Sequence, residues 1–232
     1  MPTLVLLPGM DGTGDLFAPF LEALGDQFKT QVVRYPTDQE LGYEELLALT
    51  RRSLPIDEPY IVLGESFSGP IAISLAAEAP PHMRGVVLCC TFARNPRPAL
   101  APLKSFFPLV PLHCTPSAAL SWALLGSFGS AALCSAISGA VRRVAPKVLR
   151  ARLRSVVSVD VSALLATIKV PCLYLRAAHD RLVPASASVH IQGVLPLVSV
   201  VQINAPHCLL QAAPAEAASV VSPFVREVQV AH

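Results

Sequence analysis

Short runs of almost unbroken apolar residues alternate along this chain with stretches whose apolar residues recur at helical spacing. Strands covered on both faces of a parallel sheet have this continuous apolar character. We predict six strands, at residues 4–7, 31–34, 60–63, 85–89, 172–175 and 198–203. Helical patterns cover residues 16–24, 43–54, 67–79, 185–194 and 214–228. This order predicts an α/β fold with a mainly parallel six-stranded sheet and helices on both faces, in which ligands bind at the carboxyl ends of the strands.

The alternation is interrupted between residues 93 and 168, which are rich in Pro, Ala and Ser and show helical patterns but no clear strand. We predict one core domain, made of residues 1–92 and 169–232, and a helical insertion at 93–168 that forms a lid. Residues 117–141 carry no charge and are long enough to span a bilayer. Their serines and glycines lower the apolar density, which favours buried lid helices over a transmembrane helix.

The start of the chain lacks the basic segment of a signal peptide, and its apolar run at residues 4–7 is short. The six cysteines show no metal-type spacing, and several lie in or beside apolar runs, where a free cysteine behaves as a small hydrophobe. We therefore expect a reduced, cytoplasmic protein with no metal and no cofactor.

Basic and acidic residues are segregated along the chain. Between Glu78 and Asp160 there are ten basic residues and no acidic one, although the net charge of the whole chain is only +2. The basic residues at 143, 147, 150 and 154 are spaced to line one face of a helix. That face is either solvated or a surface for an anionic membrane or an acidic carrier protein. We expect no nucleic-acid partner.

The strand predicted at 60–63 is followed by Gly64-Glu65-Ser66-Phe67-Ser68-Gly69 and then by a helical pattern. A serine at such a strand-to-helix turn has an exposed Oγ, and the helix end favours developing negative charge. The usual motif is Gly-x-Ser-x-Gly, whereas this chain has Ser68 in the last position. The sequence alone also allows Ser66 to be simply a helix cap.

On this motif the chain resembles the α/β-hydrolase superfamily of serine esterases and lipases, which includes carboxylesterases and a methyl esterase acting on pimeloyl carrier protein. The family order of nucleophile, acid and histidine implies Asp180 as the acid and His207 as the base. Asp180 follows the strand at 172–175, and His207 follows the strand at 198–203. The triad residues are therefore predicted to be Ser66, Asp180 and His207.

The resemblance also implies an oxyanion hole formed by two backbone N–H groups, those of Phe67 and Met10. Met10 lies in the loop Gly9-Met10-Asp11-Gly12-Thr13-Gly14, whose glycines let the backbone approach a ligand. A phosphate-binding loop is the competing interpretation. It is disfavoured because the glycine spacing fits neither common phosphate motif and Asp11 would repel phosphate.

Apolar residues of the insertion predict a pocket for an apolar acyl or alkyl group, although they could equally be the core of the insertion itself. They are Phe106, Phe107, Leu109, Val110, Leu112, Trp122, Leu124, Leu125 and Phe128. Trp122, Leu125 and Phe128 are the candidate substrate-binding residues.

The predicted activity is that of a serine carboxylesterase working through an acyl-enzyme. The alternatives are a thioesterase or acyl-carrier-protein esterase, and a ligand-sensing module with slow turnover. A dehalogenase is disfavoured because its nucleophile is an aspartate.

Overall fold

The core of the protein is a six-stranded sheet in which every pair of neighbouring strands is parallel. The computed structural model describes residues 2–99 and 117–230. The strands run in the order β2-β1-β3-β4-β5-β6. Their bounds are β1 Thr3–Leu7, β2 Thr30–Val32, β3 Tyr60–Glu65, β4 Met83–Cys89, β5 Cys172–His179 and β6 Ser199–Pro206. The predicted α/β architecture is confirmed.

Helices cover both faces of this sheet. Within the described residues they are α1 Ala18–Leu24, α2 Tyr43–Arg52, α3 Gly69–Ala77, α4 Ser117–Leu125, α5 Ala131–Arg142, α6 Pro146–Ser158, α7 Ser162–Leu165, α8 Ala185–Val194, α9 Leu209–Ala212 and α10 Pro214–Val230. One apolar core contains buried residues of α2, α3, α7 and α8. The opposite core contains buried residues of α1, α9 and α10.

Strand β1 shows why its sequence is apolar throughout. Val5 and Leu7 pack into the core beneath α2 and α3, whereas Leu4 and Leu6 pack into the core beneath α1 and α10. All four side chains have no exposed surface. Because successive residues of a strand point to opposite faces, a strand covered on both sides needs apolar residues at every position.

Every strand differs from the predicted bounds by one to four residues, and β2 and β5 show two physical reasons. Strand β2 comprises only Thr30–Val32, at the edge of the sheet, where its residues are partly exposed. Strand β5 continues to His179, because its pairing with β6 extends beyond the apolar run. The prediction followed apolar character, whereas pairing determines where a strand ends.

From residue 117 onward, the insertion is mainly helical. The uncharged stretch at 117–141 is divided between α4, which ends at Leu125, and α5, which begins at Ala131. In the parts of the chain that the structure describes, no helix has the length and apolarity needed to cross a membrane. Phe106, Phe107, Leu109, Val110 and Leu112 lie outside the described residues. The boundaries of the insertion and its function as a lid remain predictions.

Candidate active site

The carboxyl ends of the parallel strands bring four separate segments to one edge of the sheet. The loop that begins at Pro8 follows β1, Ser66 follows β3, Asp180 follows β5 and His207 follows β6. Strands β1 and β3 are neighbours although β2 lies between them in sequence, and β2 pairs on the other side of β1. Such a reversal of strand order creates a crevice at the carboxyl edge, where ligands bind in open α/β sheets.

Ser66 lies in the strained turn between β3 and α3. Its φ is 49°, in the left-handed region that a residue with a side chain rarely adopts. A Cβ on Gly64 would lie 2.7 Å from the Ala72 Cβ and 2.9 Å from the Ser68 carbonyl oxygen. Glycine at 64 therefore lets the strand and the helix approach closely enough to hold this turn.

The departure from the usual serine motif has a structural explanation. The Ser68 hydroxyl donates to the Pro8 carbonyl oxygen and lies 2.8 Å from the Tyr35 hydroxyl oxygen. It therefore connects the serine turn to the beginning of the loop after β1. The close contact expected of a glycine occurs at Gly69 instead, where a Cβ would lie 1.8 Å from the Thr91 Oγ1. That threonine hydroxyl donates to the Ser66 carbonyl oxygen.

Ser66, His207 and Asp180 form a continuous hydrogen-bonded chain. The Ser66 Oγ lies 2.9 Å from the His207 Nε2, and the His207 Nδ1 lies 2.8 Å from the Asp180 Oδ2. The side chains of His207 and Asp180 are 5% and 6% exposed. With the Nδ1–H donating to the carboxylate, the Nε2 lone pair faces the serine hydroxyl. This arrangement suits removal of the hydroxyl proton.

The backbone holds the Asp180 carboxylate in place. Its Oδ1 accepts hydrogen bonds from the N–H groups of Leu182 and Val183, each at 2.8 Å. The other oxygen remains for the imidazole of His207. These contacts fix the carboxylate so that its Oδ2 faces the His207 Nδ1.

The two predicted oxyanion donors lie on neighbouring segments. Phe67 directly follows Ser66, and its ring is fully buried and stacks on Tyr43 with 4.8 Å between the ring centroids. Met10 lies in a turn closed by the hydrogen bond from the Gly12 N–H to the Gly9 carbonyl oxygen, at 3.0 Å. Among the described residues, the Met10 N–H has no hydrogen-bond acceptor. The role of both groups as oxyanion donors remains a prediction.

Glu65 is a buried acidic residue of the site that the sequence analysis did not select. It ends β3, directly before Ser66, and is 7% exposed. The Gln211 Nε2 donates to its Oε1 at 3.0 Å. Burial raises the pKa of Glu65 to about 7, and Asp11 adds to this rise, whereas Gln211 and His207 oppose it. The sequence feature that could have identified Glu65 is a single charged residue at the end of an apolar run.

This raised pKa predicts a stability change with pH. Between pH 4.5 and about 7, folded Glu65 retains a proton that the unfolded chain has released. The free energy of unfolding of the wild type should therefore fall over this range as the pH rises. We expect Glu65→Gln to unfold with a free energy about 1–3 kcal/mol higher than the wild type at pH 8, and to match it near pH 4. Denaturant titrations at both pH values measure this.

The exposed residue Glu22 in α1 offers a control for that experiment. The substitution Glu22→Gln should produce no comparable gain in stability at pH 8. An equal gain for both variants, or none for Glu65→Gln, would show that Glu65 does not retain its proton in the folded chain.

The three candidate substrate-binding residues pack against residues that are next to Asp180 and His207 in sequence. Leu125 is fully buried in a cluster with Cys208. Trp122 is 63% exposed, and the Arg181 guanidinium lies 4.3 Å from its ring centroid. The ring centroid of Phe128 lies 5.4 Å from that of His179. Helix α4 therefore adjoins the site, and substrate binding by these residues remains a prediction.

The basic residues of the insertion do not form an acid-free surface as the sequence suggested. Arg143 and Arg154 form ion pairs with Asp15 and Glu40, at 2.7 Å and 3.2 Å. The fold brings these acidic residues from the core against α5 and α6, which the linear charge pattern did not reveal. These ion pairs reduce the net positive charge of the predicted carrier or membrane surface. Binding of a partner there remains a prediction.

The parallel sheet, the serine turn after β3 and the hydrogen-bonded triad at the carboxyl edge together define the fold class of this chain. The chain has the α/β-hydrolase fold, as the sequence predicted. An esterase from Thermogutta terrifontis has a similar structure, with a TM-score of 0.83 at 19% sequence identity, covering 98% of this chain and 90% of that one.

Two characterised proteins share sequence segments with the chain, and no family model matches it. The chain is 33% identical over 129 residues to phytyl ester synthase 1 of Arabidopsis thaliana, a match covering 52% of this chain and 18% of that protein. It is 30% identical over 87 residues to the thioesterase TesA of Mycobacterium marinum, covering 32% of this chain and 34% of that protein. The matched segments are thus small parts of both relatives.

Proposed function

We propose that this protein is a serine hydrolase that cleaves carboxylic esters with an apolar acyl or alkyl group. The observation that carries the proposal is the hydrogen-bonded chain from Ser66 through His207 to Asp180, with links of 2.9 Å and 2.8 Å. An unassisted serine hydroxyl is a weak nucleophile, and a base within hydrogen-bond distance is what activates it. The presence of an esterase and an ester synthase among the similar proteins supports ester chemistry.

The proposed reaction has two halves. The Ser66 Oγ attacks the ester carbonyl carbon while the His207 Nε2 accepts the hydroxyl proton. The tetrahedral oxyanion accepts hydrogen bonds from the N–H groups of Met10 and Phe67. The bond to the alcohol oxygen then breaks, and the imidazolium returns its proton to that oxygen. Water, deprotonated by His207, attacks the acyl-enzyme and releases the acid and free Ser66.

Each residue of the site has a definite energetic task in this scheme. The Asp180 carboxylate stabilises the imidazolium of His207 through the Nδ1–H hydrogen bond. Each oxyanion donor contributes about 3 kcal/mol of transition-state stabilisation. The low exposure of His207 and Asp180 strengthens these interactions, because charges interact more strongly away from water.

A second candidate is a thioesterase or acyl-carrier-protein esterase. The named activity of TesA favours it, and Lys147 and Arg150 of α6 remain as basic residues for an acidic carrier. Under this alternative, Arg150→Glu raises KM for carrier-bound acyl chains but not for small esters. The third candidate, which the sequence analysis also left open, is a ligand-sensing module with slow turnover.

A graded substrate series tests the proposal. We expect hydrolysis of p-nitrophenyl esters across acyl lengths from acetyl to dodecanoyl, with kcat/KM about tenfold or more above that for the thioester of the same acyl group. A preference for thioesters would favour the second candidate instead. Absence of turnover for every ester and thioester, in a protein whose Ser66 still reacts with a fluorophosphonate, would favour the sensing module.

A further inference from the structure

Arg152 is a buried cation contributed by α6, outside the triad and outside the core sheet. Its side chain is among the largest that are fully buried, with 1% exposure. The Nη1 donates to the Met10 carbonyl oxygen at 2.7 Å, and the Nη2 donates to the Pro36 carbonyl oxygen at 2.9 Å. Within residues 2–99 and 117–230 it forms no ion pair. Main-chain carbonyls therefore take the place of a carboxylate partner.

A cation in this position is not the arrangement that stability alone would favour. Burial lowers the pKa of Arg152, while Asp11 and Tyr35 act in the opposite direction. The Nε–H is also buried without an acceptor among the described residues. Apolar residues of similar volume often replace buried charged groups without loss of stability. The two carbonyl groups that the guanidinium holds are the feature that an apolar side chain cannot reproduce.

The guanidinium joins two loops beside the serine. One is the turn from Gly9 to Gly12, which carries the predicted oxyanion donor. The other follows β2, where the Tyr35 N–H donates to the Gly12 carbonyl oxygen at 2.8 Å. Gly12 has a φ of +71°, and a Cβ there would lie 2.6 Å from the Arg152 Nη1. Glycine at 12 thus allows both the turn and the close approach of the guanidinium.

We propose that Arg152 is a positioning residue for the oxyanion hole, holding the Met10 carbonyl so that the Met10 N–H faces the developing oxyanion. This inference rests on the proposed function. Because the carbonyl and the N–H belong to the same residue, fixing one restricts the φ and ψ angles that aim the other. Because Arg152 is part of α6, the oxyanion hole is complete only when α6 is seated on the core.

The test compares Arg152→Met with Arg154→Met, a control on the same helix. Arg154 is exposed and pairs with Glu40 rather than with the loop. We expect Arg152→Met to lower kcat for an ester by about 100-fold, with KM changed by no more than about threefold, because the interaction matters mainly in the transition state. Arg154→Met should keep kcat within about twofold of the wild type.

A trifluoromethyl ketone separates positioning from general damage. Its adduct with Ser66 bears an oxyanion, so its Ki should rise in Arg152→Met by about the same factor as kcat/KM falls. The pH dependence of kcat/KM should keep its apparent pKa values, because the triad is untouched.

Arg152→Lys retains the charge but cannot hold both carbonyls in one plane. Its loss in kcat should be smaller than that of Arg152→Met, about tenfold.

Hydrogen exchange of residues 9–14 gives a result that does not depend on ester turnover. Faster exchange there in Arg152→Met or Arg152→Lys, but not in Arg154→Met, supports the holding of the Met10 loop by Arg152 even if no ester is cleaved and the proposed function fails. Unchanged exchange overturns it. In an active enzyme, full kcat in Arg152→Lys, or equal weakening of substrate binding and ketone binding, also overturns the proposal. Arg152→Lys decides the matter if Arg152→Met does not fold.

Discussion

Replacing Ser66 with alanine is expected to lower kcat/KM for ester hydrolysis by about 10⁵-fold, the scale of losing a triad nucleophile. The Oγ is the only atom removed, and it lies 2.9 Å from the His207 Nε2. Without it no covalent acyl-enzyme forms, and only slow attack by water remains. The measurement is steady-state hydrolysis of a p-nitrophenyl ester, with circular dichroism to show that the variant is folded.

Ser74 provides a matched control for this substitution. It lies on α3, two turns beyond the nucleophile, and its hydroxyl donates to the Pro70 carbonyl oxygen at 2.8 Å. Ser74→Ala should hydrolyse the same ester within about twofold of the wild-type rate, because among the described residues its hydroxyl bonds only to its own helix. If Ser66→Ala retained the activity of Ser74→Ala, another nucleophile would have to be responsible.

The second large effect is expected for Asp180→Asn, a loss of about 10⁴-fold in kcat. The amide oxygen of asparagine can still accept the N–H groups of Leu182 and Val183, so the loop should keep its shape. Its NH₂ group would then face the His207 Nδ1 and favour the tautomer that has no N–H there. In that tautomer the Nε2 carries the proton and cannot accept one from Ser66.

Asp160 offers the control for Asp180. Its Oδ1 accepts the Ser162 N–H at 2.9 Å, so it too holds nearby backbone, at the start of α7, through a carboxylate oxygen. Asp160→Asn should leave kcat within about twofold of the wild type, and thermal unfolding of both variants should be similar. A kcat for Asp180→Asn within threefold of that for Asp160→Asn would remove Asp180 from the mechanism.

The sequence specified the sheet because burial on both faces leaves a continuous apolar signature. That signature identified β1, β3 and β4 through residues such as Leu4, Ile61 and Val87, all fully buried. It missed the exact bounds of every strand by one to four residues, for example at β2 and β5, since an edge strand and a strand extended by pairing lack the same apolar run. The order of the elements was therefore more predictable than their bounds.

The candidate triad could be selected from the sequence because each member directly follows a strand. Parallel strands deliver their carboxyl ends to one edge, so position along the chain predicted proximity in space. Contacts between helices and loops lacked such a rule. The pairing of Arg154 with Glu40, across 114 positions of sequence, and the burial of Arg152 emerged only from the packing of α6.

Glu65 illustrates a further limit of the sequence. Its acidic side chain was visible beside Ser66, but its pKa depends on burial and Asp11, which raise it, and on Gln211, which lowers it. Asp11 and Gln211 come from distant segments. A side chain whose environment is assembled from three parts of the fold has no local signature. Its effect can be inferred only once those parts are placed together.

The most direct test of the central claim is to identify the atom that becomes covalently modified. The protein is incubated with a fluorophosphonate, digested and sequenced by mass spectrometry, with His207→Ala treated in parallel. We predict one adduct per chain, on Ser66, formed far more slowly in His207→Ala. An adduct on another residue, or continued ester hydrolysis after Ser66 is fully modified, would contradict the assignment of Ser66 as the nucleophile.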